Sequence, residues 1–336
     1  MKKASLISVI VATYNQEATI ARTLDSILCQ KCHLPIEIVI GEDCSTDHTR
    51  IICEEYARQY PTQIRLLGND HNKGIVDNYF DCILACKGDF IADCAGDDFW
   101  VDEYKLEKES QLLEAAPDIT LVHTAWRSYN AHTHVAKDSP PQPFSSPVTD
   151  GKDMLEAIIT QTYMPVIHLC TSLYRANVIL REYHAHTSLF RNKDWPCEDL
   201  QIAFFMALSG KIAYLPDVTL HYTQGEDTIS SPREILKQFD FFKRATDLSH
   251  KLAEEYDIRT KATRHYFSQR TFTMYMHAFR AHDKNLRQQA LKCQQSWNTT
   301  NNFSIWIIKR LTANEPLWSS TLKLRKLFVM LKKVFR

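Results

Sequence analysis

The sequence is short of several things that would settle its class at once. None of its apolar runs reaches the roughly 18 residues that cross a bilayer. Lysine plus arginine and aspartate plus glutamate number 40 each, so the formal net charge is zero and no global field favours nucleic acid. The ten cysteines form no regular framework, and reduced thiols acting as small hydrophobes are expected rather than disulfides or zinc ligands. There is no internal repeat. The opening Met1-Lys2-Lys3-Ala4-Ser5 lacks a signal-peptide pattern and leads straight into a strand. A chain in the cytosol, or held at a membrane surface, is expected. What remains is 336 residues with 44% hydrophobic content, enough for one large or two modest domains.

The first half alternates strand and helix patterns. Leu6 to Ala12 is an unbroken apolar run, as in a buried parallel strand. Ala18 to Cys29 has helical spacing, with Ile20, Leu24, Ile27 and Leu28 on one face. Ile36 to Ile40 is a second strand. Ser45-Thr46-Asp47 then caps a helix through Tyr60. Ile64 to Leu67, a loop over 69–74, a helix from Asn78 to Cys86 and a strand from Phe90 to Cys94 follow. A helix from about Glu103 to Ala115 stops before Pro117. This alternation predicts a doubly wound α/β sheet, mainly parallel and flanked by helices. Residues 131–150, with Ser139-Pro140-Pro141 and Pro143, read as a flexible loop or lid. Beyond it the pattern predicts a helix at Met154 to Thr160, a strand at Leu169 to Tyr174, a helix at Leu200 to Leu208 and a strand at Lys211 to Leu215. From about Pro232 the chain reads as wholly helical. Two domains are expected, 1–230 and 231–336.

Ligands of open parallel sheets sit at the carboxyl ends of the strands. Thr13-Tyr14-Asn15 follows the first strand there, Glu42-Asp43 the second and Asp97-Asp98 the fourth. Asp43 can accept from a base N–H or a ribose hydroxyl. Asp97 and Asp98, on a tight turn after Gly96, can hold a hard divalent cation against phosphate oxygens. The alternative is a set of turn and cap carboxylates, favoured at strand ends in any case. Asp47 in particular has the position of a helix cap. Glu198-Asp199, a hundred residues later, suits an acidic first helical turn as well as it suits a catalytic pair.

Three ordered blocks carry a resemblance: Ser8-Val9-Ile10-Val11-Ala12-Thr13-Tyr14-Asn15, Glu42-Asp43-Cys44-Ser45-Thr46-Asp47 and Gly96-Asp97-Asp98-Phe99-Trp100. Together they resemble glycosyltransferase family 2, inverting enzymes with the GT-A fold that use nucleotide-sugar donors. The likeness runs from about residue 5 to 225. It implies that Thr13, Tyr14 and Asp43, with Asn15 beside them, hold the base and ribose, and that Asn72 and Gly74 line the nucleotide pocket. It implies a metal motif at Asp97 and Asp98. The family's usual first acid is Ala95 here, so Mn2+ or Mg2+ leans on Asp98, with Asp97 turned toward the sugar. Asp199, within Trp195-Pro196-Cys197-Glu198-Asp199, matches the catalytic base that deprotonates the acceptor hydroxyl. His221 stands where related enzymes place a basic residue near the diphosphate and the metal; a structural histidine at a strand end fits equally. The Gln-x-x-Arg-Trp motif and membrane helices of the family's processive members are absent, which points to transfer of a single sugar.

The C-terminus reads as a basic amphipathic helix. Leu324, Leu327, Phe328, Leu331, Val334 and Phe335 recur at helical spacing, with lysines and arginines mostly opposite, and no acid follows Glu315. Such a helix suits an anionic membrane interface and an acceptor built on a lipid carrier; packing on its own domain is the alternative. The expected protein is a metal-dependent transferase of a bacterial polysaccharide pathway. It takes a nucleotide-sugar, by default a UDP-sugar, and a saccharide or lipid-linked saccharide. It is cytoplasmic, or peripheral on the inner face of the cell membrane. A nucleotidyltransferase would want a glycine-rich basic loop, and Ala12 to Glu17 offers none. A catalytically inactive scaffold is disfavoured by the presence of Asp43, Asp98 and Asp199.

Overall fold

The computed structural model describes residues 4–139, 144, 146–161, 166–224 and 234–334, with side chains as far as Arg325. The chain divides into two compact units, Met1–Gly225 and Glu226–Arg336.

The first unit is built on β1 (Ile7–Thr13), α1 (Ile20–Leu28), β2 (Ile36–Glu42), α2 (Thr49–Gln59), β3 (Ile64–Gly68), α3 (Ile75–Ala85) and β4 (Phe90–Asp93). The apolar runs become the order β3-β2-β1-β4, parallel throughout. Val9, Val11, Ile38, Ile40 and Ala92 are fully buried within it, as strands covered on both faces must be. α1 adds Ile20, Leu24 and Ile27 to the same core. The register aligns Thr13 with Glu42, so β1 and β2 end together. β4 ends beside Ile10, which sends residues 94–98 across the top of β1.

The unit continues through β5 (Phe99–Trp100), α4 (Lys105–Ala115), β6 (Ile119–Asn130), β7 (Val135–Asp138), β8 (Val148–Asp150), α5 (Gly151–Thr160), β9 (Leu173–Arg175), α6 (Ala176–Ala185), α7 (Thr187–Phe190), α8 (Asp199–Ser209) and β10 (Lys211–Gln224). β9 joins β4 and β6 in antiparallel fashion, and β10 runs parallel to β6 and antiparallel to β5.

Three expectations need correction. The 131–150 stretch is not a free loop: β7 pairs with β6 and β8 with β10, although residues 140–143 and 145 lie outside the described set. The strand expected over Leu169 to Tyr174 opens as a 3-10 turn at Leu169–Thr171, because Thr171 and Ser172 turn their N–H groups back on His168 and Leu169 carbonyls. The strand expected to stop at Leu215 runs on to Gln224, through an irregularity at Pro216-Asp217 that shifts its register on β6. Cys29 and Cys32 stand at Cys-x-x-Cys spacing just after α1, yet both are free thiols. Beside them His33 bridges two glutamates of α4: Nδ1 lies 2.7 Å from Glu107 and Nε2 3.0 Å from Glu114.

The second unit comprises α9 (Ile235–Glu255), α10 (Lys261–Ala281), α11 (Lys284–Ser296), α12 (Phe303–Ala313) and α13 (Glu315–Val334). Side-chain caps start several of them: Thr260 for α10, Asp283 for α11 and Asn302 for α12. Its core includes Phe239, Met274, Tyr275, Ile305 and Trp318. The expected boundary at 230/231 and the apolar tail positions from Leu327 on lie outside the residues or side chains described. No helix among the described residues is long and apolar enough to cross a membrane.

Candidate active site

The carboxyl ends of β1 and β2 are stitched together by short polar contacts. Asp43 N–H donates to the Thr13 carbonyl at 3.1 Å. Asn15, at φ 53°, accepts from Thr46 N–H at 2.8 Å and donates its own N–H to Ser45 Oγ at 3.0 Å. Asp47 accepts from Thr49 N–H (2.9 Å) and Glu17 N–H (3.1 Å), so it both caps α2 and braces the 13–17 turn. Tyr14 is left facing solvent, 44% exposed.

Asp43 is buried and ties down the 69–74 loop. Its Oδ1 accepts from Asn69 Nδ2 (2.9 Å) and Lys73 N–H (2.8 Å), and its Oδ2 from Gly74 N–H (2.9 Å). Asn69 is itself held by Asn78 at 3.0 Å. Gly74 has φ 85° at the start of α3, a backbone shape that glycine adopts freely. Asn72 Oδ1 accepts from the same Gly74 N–H at 3.0 Å. Asp43, Asn72 and Gly74 are therefore one polar cluster.

The Asp97-Asp98 turn lies across the end of β1. Gly96 N–H donates to the Ala12 carbonyl at 3.2 Å, and Thr19 Oγ1 donates to the Gly96 carbonyl at 2.8 Å. A Cβ on Gly96 would fall 2.7 Å from Thr13 Oγ1 and closer still to Gln16, so this approach needs glycine. Asp98 is almost wholly buried. Its Oδ1 accepts from Thr223 N–H at 2.8 Å, and its Oδ2 is buried with no hydrogen-bond partner. Burial, then the Asp97 charge, hold the Asp98 carboxyl well above the usual range. Asp97 is raised as well, chiefly by burial. Two adjacent acids that are costly to ionise favour a positive partner. Arg22 supplies part of that charge: its guanidinium donates to the Asp97 carbonyl (3.0 Å) and Thr223 Oγ1 (3.2 Å) and stacks 4.0 Å over Phe99.

Asp199 opens α8. Asp199 is exposed, and desolvation by the surrounding protein raises its pKa to about 6. Glu198 beside it carries a buried Oε2 without a hydrogen-bond partner and is raised well above the usual range by burial and by the Asp199 charge. The charge of Asp199 also reaches Asp93, which burial pushes up to about 7; Asp93 is clasped by Tyr79. Cys170 connects the two acidic centres. Its Sγ accepts from Ala95 N–H at 3.4 Å, and its thiol is held far up by burial and the charge of Asp98, with Asp199 adding to the effect. Arg191 fixes the segment before α8 to α3 through Asp81, 2.7 Å.

His221 is placed differently from the carboxylates. Its ring stacks on Tyr129 at 5.5 Å and meets Phe99 edge-on at 5.2 Å. Its Nδ1 is buried without a hydrogen-bond partner, and burial lowers its pKa. Among the described residues, three metal-type donors converge within 4.8 Å at Cys32, His33 and Glu107, not at Asp97, Asp98 and His221. Thr223, Arg22 and Cys170 complete the site and carry no motif signal in the sequence.

This arrangement can be set beside known proteins. Residues 8–179 match the family model for glycosyl transferase family 2, half of the chain. The protein belongs to glycosyltransferase family 2. Within the family, it is 36% identical over 114 residues to the putative glycosyltransferase EpsE of Bacillus subtilis, covering 34% of this chain and 40% of that one. It is 29% identical over 137 residues to WfgD of Escherichia coli, a UDP-Glc:alpha-D-GlcNAc-diphosphoundecaprenol beta-1,3-glucosyltransferase, covering 41% and 52%. An uncharacterized protein of Mycobacterium tuberculosis is 38% identical, but over only 33% of its length; the chain spans a third to a half of these curated relatives. The fold matches Staphylococcus aureus TarS 1–349 with a TM-score of 0.53 at 16% identity, over 90% of each chain. It also matches the mannosyltransferase PcManGT of Pyrobaculum calidifontis, solved with GDP-Man and Mn2+, with a TM-score of 0.53 at 14% identity over 97% and 88%. Both are family members of GT-A fold, so the α/β sheet with flanking helices and a helical C-terminal region is the GT-A architecture.

Proposed function

We propose that this family 2 enzyme is a metal-dependent inverting transferase that moves one sugar from a nucleotide-sugar, by default a UDP-sugar, to a hydroxyl of a saccharide or lipid-linked saccharide. The observation that carries this reading is Asp98 Oδ2, a buried carboxylate oxygen without a hydrogen-bond partner beside Asp97 in the turn between β4 and β5. Such a donor set fits a hard divalent cation, Mn2+ or Mg2+. Asp98 would hold it with Asp97, and His221, whose Nδ1 has no hydrogen-bond partner, is assigned to the same cation. The bound cation would offset the charge that builds on the departing diphosphate.

Thr13, Tyr14 and Asn15 line the base and ribose side of the cleft in this reading. Asp43 has three protein N–H donors against about four acceptor sites on a carboxylate, which leaves one for a ribose hydroxyl or a base N–H. Asn72 and Gly74 hold that wall in place. Asp199 is the base: it takes the proton of the acceptor hydroxyl while that oxygen attacks the anomeric carbon, and the bonding pair leaves with the nucleoside diphosphate. A pKa of about 6 keeps Asp199 mostly ionised near neutral pH and basic enough for the task.

The setting is bacterial surface-polysaccharide assembly at the inner face of the cell membrane. Its support is the likeness to a relative whose acceptor is a sugar on diphosphoundecaprenol. The test is a binding and turnover screen of the purified protein against UDP-, GDP- and dTDP-sugars, with and without Mn2+. One nucleotide class should bind in a metal-dependent way. If none binds under any metal condition, the protein is not a sugar-nucleotide transferase.

A further inference from the structure

The second unit carries an apolar surface of its own. α12 buries Ile305, Ile308 and Thr312 and turns Phe303, Trp306, Ile307 and Arg310 outward. Those four positions share one helical stripe, at i, i+3, i+4 and i+7. Phe303 is 76% exposed and Trp306 50%. Their rings lie 6.4 Å apart at an interplanar angle of 11°, and the Arg310 guanidinium sits 5.6 Å from the Trp306 ring. α13 extends the pattern. It buries Trp318 and Leu322 and leaves Leu317 51% and Leu324 67% exposed. Leaving two large aromatic rings and two leucines in water is unfavourable, and the stacked rings of the α12 stripe mark a contact surface.

The charge around the stripe says what contacts it. Residues 297–336 hold eight lysines and arginines and a single acid, Glu315, while the rest of the chain carries 32 lysines and arginines against 39 acids. Glu315 is already engaged by His282 (2.8 Å) and Lys284 (3.3 Å). Lys323 and Arg325, beside Leu324, are exposed. Aromatic rings flanked by uncompensated cations fit the boundary of an anionic bilayer, where rings settle at headgroup level and ammonium and guanidinium groups meet lipid phosphates. With no helix among the described residues fit to span a membrane, the geometry calls for a helix lying in the interface.

We propose that the outward face of α12, with Leu317 and Leu324 of α13, is a lipid-binding surface that docks the second unit onto an anionic bilayer. This stands apart from the reaction assigned to the first unit. The full-length protein is floated with phosphatidylcholine vesicles, with and without phosphatidylglycerol, at low and high salt. Binding is expected with the anionic vesicles, weakening with salt. The double variant Phe303→Ser/Trp306→Ser should bind roughly tenfold or more weakly, with unchanged helix content by circular dichroism. Lys323→Glu/Arg325→Glu should flatten the salt dependence. Three results overturn the proposal. The wild type does not bind anionic vesicles. It binds them, but the serine variant binds equally well. Or it forms a dimer by light scattering that the serine variant dissolves, which makes a second copy the occupant of the face.

Discussion

The backbone N–H of Thr223 donates to Asp98 Oδ1 at 2.8 Å, across 125 positions of sequence. The bond uses one oxygen of the carboxylate and leaves the other, Oδ2, buried with no hydrogen-bond partner, beside the Cys170 thiol. In the proposed function this bond fixes Asp98 in position to hold the cation. Asp98→Ala removes both oxygens and should weaken metal-dependent nucleotide-sugar binding by at least roughly tenfold, about 1.4 kcal/mol. Titration calorimetry with and without Mn2+ measures this. Equal affinity in both proteins would move the cation, and the diphosphate with it, away from this turn.

Asp199 should separate from Asp98 by its kinetics. Asp199→Asn keeps the shape and removes the base, so kcat should fall by roughly 10²–10⁴-fold while donor binding stays within about twofold. In the wild type, desolvation lifts the pKa to about 6. The base works only when deprotonated, so the rate should be low at pH 5, rise through about 6 and level off above 7. A flat profile over this range, or an Asp199→Asn enzyme with an unchanged limb, assigns the proton transfer to another group.

Asp43 is tested through structure as much as through binding. Its carboxylate accepts from Asn69 Nδ2, Lys73 N–H and Gly74 N–H; Asp43→Ala leaves Lys73 N–H without its acceptor and leaves Asn69 only Asn78 and Gly74 only Asn72. The cost of such orphaned groups is about 1–3 kcal/mol each when buried. A clear loss of thermal stability is therefore expected, with loosened amide protection over 69–74 by hydrogen exchange and weaker nucleotide binding. If stability holds and binding alone falls, Asp43 acts on the ligand directly and the loop is held by other contacts.

The strands that build the cleft were legible because burial on both faces leaves an unbroken apolar run, as in β1, β2 and β4. β6 was not, because His123 and Thr124 interrupt its apolar residues, and β10 was cut short at Pro216, where the pairing with β6 slips and then resumes. The positions of the acids after the apolar runs were legible too, but their structural duties were not: Asp43 accepts from three donors of the 69–74 loop. Thr223 was not, since it holds Asp98 by a backbone N–H that any residue carries. Arg22 lies on a helix face where an arginine is ordinary; only the folded sheet brings it under the Asp97 carbonyl. Cys170 connects Asp98 and Asp199 by position alone, as a thiol among ten.

His33 offers a test of the fold itself, in the loop between α1 and β2 of the first unit. Its ring bridges Glu107 and Glu114 of α4, and Glu107, by its hydrogen bonds from His33, raises the imidazole pKa. In return the Glu107 carboxyl is drawn down to about 2. The two shifts set opposite edges to one window. A histidine raised in the folded state contributes stability that is complete below its unfolded pKa, near 6.5, and is lost as pH rises through the folded value. A glutamate lowered in the folded state contributes above its unfolded pKa and loses that contribution as pH falls toward about 2. The bridge is therefore strongest between about pH 5 and 6.5. His33→Gln should lower the melting temperature most in that interval and progressively less as the pH rises and the wild-type imidazole loses its proton. Because the ring is part-exposed and its partners reach water, high salt should shrink the difference. A melting-temperature gap that stays constant from pH 5 to 9 would mean that His33 holds the 29–35 loop by packing rather than by charge.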